Sequence, residues 1–208
     1  MKGEILFNLY ELKFELKINI YLYAIIFFIY MIGITSGIVV AKNINFLTNN
    51  SVSQYTYDAF SAFKTTSIDK FRVLANSCLH NILLFGIISL FGYLKIGFVI
   101  ILVILILKGI LVGFATFNLF TAFKFFELIK IIAILSPSFF LISFAIIKSC
   151  VNAMNMSFSK LILRGRQLFK LSYFNDQREY VKSQIKVIII AFIALLWDAY
   201  VATIFLNL

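Results

Sequence analysis

Two cysteines, one histidine and one proline are the whole supply, within 208 residues, of the residue types that most often build metal centres, redox sites or kinks. A structural zinc site wants four Cys or His ligands and a catalytic one three, which excludes a protein-only zinc centre. Charge is scarce as well, at 13% of residues against 62% hydrophobic, far outside the range of soluble domains. No G-x-S-x-G, H-E-x-x-H or G-x-x-x-x-G-K-[ST] string occurs, and no shift of composition marks an appended soluble catalytic domain. These absences point away from an enzyme and from any cofactor. With so little proline and only nine glycines, a collagenous or disordered chain is excluded too. The 25 Phe residues carry no message of their own, because Ile, Asn, Lys and Tyr are abundant beside them, as AT-rich coding produces.

What is present is apolar length. Nineteen Lys and Arg against nine Asp and Glu leave a net charge of +10, and the basic residues flank apolar stretches. That is the bias that orients membrane helices, not a nucleic-acid surface. A spanning helix needs about 20 apolar residues. The first candidate, 20–41, exceeds the apolar run of a cleaved signal peptide, and no small-x-small site follows, so it is expected to stay as an anchor. Before it, Glu4, Glu11, Glu15, Lys13 and Lys17 alternate with Ile5, Leu6, Leu9, Leu12 and Leu16. This lead-in reads either as a helix lying along the membrane surface or as a solvated segment.

Between residues 82 and 123 the only charges are Lys95 and Lys108, and two readings compete: one long span, or a hairpin turning over 92–97. Parity decides. With a cytoplasmic N-terminus, the hairpin places the basic segment 152–184, which holds Lys160, Arg164, Arg166, Lys170, Arg178 and Lys182, on the cytoplasmic side. The expectation is an all-α polytopic membrane protein, one transmembrane domain of five spans at about 20–41, 74–94, 97–119, 128–150 and 185–206. Residues 43–72 form its extracytoplasmic loop, in which Tyr55, Tyr57, Phe60 and Phe63 suggest a short helix resting on the membrane or on a partner.

Several residues stand out. Lys108 and Asp198 are charges inside apolar runs, each costing roughly 2.5–3.5 kcal/mol at a helix centre. Their distances from the expected inner ends of their spans, about 17 and 20 Å, suggest a partner pair that pins two helices; a relay and separate partners are the alternatives. Asn76, His80 and Asn81 make a polar cluster near the outer end of the second span, where helix-end hydrogen bonding competes with partner contact. Gly33-x-x-x-Gly37 and Gly109-x-x-x-Gly113 allow close backbone approach, within one chain or in a homo-oligomer. Lys160, Arg164, Arg166 and Lys170 fall on one face of a helical projection, opposite Phe158, Leu161, Ile162, Leu168 and Phe169, a pattern that binds anionic headgroups. Pro137 is a kink or break in the fourth span. Cys78 and Cys150 belong at opposite membrane ends, too far apart for a disulfide.

With the spans placed, the sequence resembles the stage II sporulation protein M family of endospore-forming bacteria. The resemblance rests on Asn76-Ser77-Cys78-Leu79-His80-Asn81, on Leu107-Lys108-Gly109-Ile110-Leu111-Val112-Gly113-Phe114 and on Ser36-Gly37-Ile38-Val39-Val40. Pro137, the basic stretch 161–166 and Ala199-Tyr200-Val201 after an acid extend it along the chain in order. It departs from the family in carrying Asp198 where a glutamate is expected and Ser136 and Ser138 around Pro137. The resemblance implies a non-enzymatic scaffold in the cell membrane, at the sporulation septum and engulfing membrane. There it would recruit and place stage II sporulation proteins D and P, which degrade peptidoglycan. The competing class is a permease-like transport component whose Lys108 and Asp198 line a route.

Overall fold

Inside a bilayer every backbone N–H and C=O must be satisfied by the chain itself, so long apolar runs fold as helices. The computed structural model describes residues 2–47, 51–65, 70–162 and 177–202, with the side chains of the first helix described from Ile20. It is helical throughout these residues: α1 Lys2–Leu47, α2 Ser51–Thr65, α3 Lys70–Gly92, α4 Gly97–Ala122, α5 Phe125–Ile162 and α6 Gln177–Leu196. A π-helical turn, Trp197–Ala202, prolongs α6. Five of these elements are long and apolar enough to cross a membrane, over Ile20–Ile44, Leu74–Gly92, Gly97–Ala122, Phe125–Phe158 and Gln177–Tyr200. The protein is therefore a multi-pass, all-α membrane protein.

The hairpin is the observed solution of the long apolar stretch. Three turn bonds reverse the chain between α3 and α4: Tyr93 N–H to Leu90 O at 3.1 Å, Leu94 N–H to Phe91 O at 3.0 Å and Gly97 N–H to Leu94 O at 3.1 Å. Glycine is required at 97, because a Cβ there would run into Phe91 O. The opposite end is closed by α2, which packs on α4 and α1, and by a tight α4–α5 junction in which Leu128 N–H reaches Lys124 O at 2.9 Å. These are called below the turn end and the far end.

Three segments take helical bounds that the sequence does not give. The lead-in is not a separate helix, because α1 begins at Lys2 and runs 46 residues without interruption, about 69 Å. The loop 43–72 is largely helical, since α1 continues to Leu47, α2 fills the middle and α3 starts at Lys70. The segment 152–184 is helical at both ends, α5 reaching Ile162 and α6 starting at Gln177, eight residues ahead of the expected position. Residues 163–176, with Arg164, Arg166 and Lys170, lie outside the described residues, as does the side chain of Lys160.

Pro137 neither breaks α5 nor ends it. Proline removes the donor that would reach the carbonyl four residues back. That carbonyl, Ala133 O, accepts from Ser136 Oγ at 3.3 Å, and Ile134 O next to it accepts from Trp197 Nε1 at 3.0 Å. The core lies where α1, α3, α4 and α6 meet α5, around Ile26, Phe85, Ile101, Leu105, Ile146 and Val187.

Candidate functional site

The closest helix contact is made by glycine. α1 packs more extensively on α4 than any other pair of elements packs together. A Cβ on Gly33 would stand 2.7 Å from Ile106 O and one on Gly109 would stand 2.8 Å from Tyr30 O. A Cβ on Gly37 would meet Ile110 O, and one on Gly113 would meet Ile34 O. The structure thus brings the two G-x-x-x-G motifs together within one chain, backbone against backbone, where dispersion contact rather than water exclusion holds helices.

At the turn end the interface is polar. Every residue of α5 from Lys148 to Ser157 is buried, although four of the ten side chains are Ser or Asn. Ser149 Oγ donates to Gln184 Oε1 at 2.9 Å, and Gln184 Nε2 returns to Ser149 O at 3.2 Å and to Tyr180 OH at 3.3 Å. Tyr180 OH donates to Ser89 O at 2.9 Å, which ties α6 to α3. Asn152 Nδ2 donates to Ser183 Oγ at 2.7 Å, and Ser157 Oγ donates to Leu94 O at 2.7 Å in the α3–α4 turn. Tyr93 stacks edge-on against Tyr180 with ring centroids 5.2 Å apart. Asn155 is the exception: it is 1% exposed, and neither amide atom has a partner among the described residues. This network locks the turn end and offers no activated nucleophile or base.

Sequence reasoning placed Asn152, Asn155, Ser157, Tyr180, Ser183 and Gln184 in the basic cytoplasmic segment 152–184 and missed the network. A signal was there, because Asn152 and Asn155 sit between Val151, Met154 and Met156 and prolong the apolar face of α5 at helical spacing. A residue scale that scores Asn as hydrophilic ends the span too early.

Lys108 and Asp198 are apart. Among the described residues no ion pair joins Lys108 to Asp198, and the registers explain why. Phe98 stacks on Phe158 at 5.2 Å, which sets Lys108 level with Lys148 of α5. Asp198 instead shares a hydrogen bond with Ser138. From Ser138 to Lys148 is ten residues of α5, about 15 Å along the axis. The equal depths expected from the sequence came from starting the last span at Ile185. The Oδ1 atom of Asp198 is buried without a partner. Among the described residues, half-buried Lys108 has no hydrogen bond and no charged neighbour.

The remaining candidates are dispersed. His80 is exposed and its Nδ1–H donates to Asn76 O at 3.0 Å, while Asn81 Nδ2 donates to Ser77 O at 2.9 Å, so both side chains are tied back to α3 itself. Tyr55 is 80% exposed on α2, whereas Tyr57 leans on Phe123 with centroids 5.6 Å apart. The side chains of Phe60 and Phe63 lie outside the described residues. Both cysteines are free, Cys78 half-exposed and Cys150 fully buried.

In comparisons with known proteins, the family model described as stage II sporulation protein M matches residues 24–203, from the first span to the π-helical turn. No curated protein and no solved structure matches.

Proposed function

The chain belongs to the stage II sporulation protein M family, and on that premise we propose that it is a non-enzymatic scaffold for engulfment. It recruits stage II sporulation proteins D and P and holds them at the septum and the engulfing membrane. The observation that carries this reading is the family match over nearly the whole chain. The turn end, with Lys95 exposed and Lys182 and Lys186 on the first turns of α6, faces the cytoplasm, by the positive-inside rule. The far end then faces the compartment where peptidoglycan is cut. There α2 presents Tyr55 to solvent, an aromatic anchor for a partner, while anionic lipid is held by the basic segment around Lys160, Arg164, Arg166 and Lys170.

The test is done in sporulating cells. Proteins D and P should co-purify with the tagged chain, and their fluorescent fusions should leave the septum when the chain is absent. Replacing Tyr55, Tyr57, Phe60 and Phe63 by Ser should weaken recruitment of at least one of them while the chain remains in the membrane at its normal level. Undisturbed septal placement of both in a null strain would sink the scaffold reading.

A further inference from the structure

Lys108 lies 11 residues past Gly97, about 16 Å from the turn end of α4, and 14 residues before Ala122. In a hydrocarbon layer about 30 Å thick this is close to the midplane. A four-carbon stem does not carry its ammonium to either headgroup layer from there. The side chain sits at the border of a lipid-facing stripe formed by Val103, Leu107 and Leu111, which are 51%, 56% and 64% exposed and recur every fourth residue. A midplane cation with no partner among the described residues is costly, and a neighbour that supplies one recovers that cost.

We infer that Lys108 is the anchor of a docking face for a transmembrane helix of another protein, one that carries an aspartate or glutamate near the middle of its span. The acids among the described residues exclude a second copy as the occupant. Of nine, Asp198 lies about 15 Å nearer the far end, Asp58 is on α2, and Glu127 and Glu179 stand at the ends of α5 and α6. Glu4, Glu11 and Glu15 precede Ile20, and Asp69 and Asp176 lie outside the described residues. Copies related by a rotation axis along the membrane normal keep every residue at its own depth, so no symmetric oligomer brings one of these acids to Lys108. The occupant's helix lies along the stripe, its apolar side chains on Val103, Leu107 and Leu111 and its carboxyl on the ammonium. In naming the chemistry of a membrane partner, the inference rests on the scaffold reading and deepens it.

A synthetic peptide tests the chemistry directly. The purified full chain, in a neutral phosphocholine detergent, is titrated against a fluorescent Leu/Ala transmembrane peptide with one central Glu and against its all-apolar counterpart, binding being read as fluorescence anisotropy. The Glu peptide should bind about tenfold or more tightly than its counterpart. Lys108→Arg should keep that preference, and Lys108→Met should abolish it while raising thermal stability, because it removes an unpaired charge. Moving the Glu by seven residues, about 10 Å, should also abolish it. Equal binding of the two peptides by the natural chain, a preference that survives Lys108→Met, or equal binding of the shifted peptide would each overturn the docking site. Self-association that disappears with Lys108→Met would replace the second protein by a second copy and overturn it as well. The assay needs neither hydrolase, so its failure removes this site alone, whereas normal placement of proteins D and P in a null strain removes the scaffold.

Discussion

Asn152 and Asn155 lie three residues apart on one helix, both buried, and their energetics are opposite in sign. Asn152 satisfies Ser183, while Asn155 has two buried polar atoms and nothing to bond. An unsatisfied buried amide costs about 1–3 kcal/mol. Asn155→Leu is therefore expected to stabilise the protein by about that amount, measured as a higher midpoint in detergent-titrated unfolding. Asn152→Leu, of the same volume change, is expected to destabilise it, since Ser183 then loses its partner in a closed interface. A loss of stability in both would mean that Asn155 has a partner that the bundle does not itself provide. At this scale the sequence was legible where chemistry is sparse: the absence of metal ligands and nucleophiles could be counted. It was illegible for the relative depth of Lys108 and Asp198, because the depth of Asp198 depends on where α6 begins, and that goes with Gln184 and Ser149 bonding across an interface.

Helices were legible as elements because apolar runs in a bilayer have one way to satisfy their backbone. The hairpin followed from charge parity, and the turn fell at Tyr93 to Ile96, inside the expected window. The lead-in and α2 were less so: both are amphipathic or polar, and whether such a stretch is helix depends on what it packs against. The glycine crossing of α1 and α4 yields a contrast within one residue type. Gly37→Ala puts a methyl group onto the carbonyl of Ile110 and should cost about 1–3 kcal/mol of stability. Gly86→Ala, on α3, meets no atom within 4 Å and should be neutral or gain about 0.5–1 kcal/mol from the better helix former. The same unfolding titration reads both, and equal effects would show that the crossing opens without penalty.

For the molecule as a whole, topology is the property to check. An impermeant maleimide applied to intact cells should label Cys78, which is half-exposed near the far end, and should spare Cys150, which is fully buried in α5, even after permeabilisation. Labelling of Cys78 only after permeabilisation would reverse the orientation of all five spans. The glycine crossing also has a bearing on how the chain is made. Gly33 and Gly37 are synthesised first, and their counterparts at 109 and 113 emerge more than 70 residues later. At ribosomal rates of about 5–20 residues per second, α1 waits in the lipid for roughly 4–15 seconds with its groove open. During that interval any passing helix with a small-residue groove is a competitor, so the intrachain crossing has to prevail by displacing what α1 meets first.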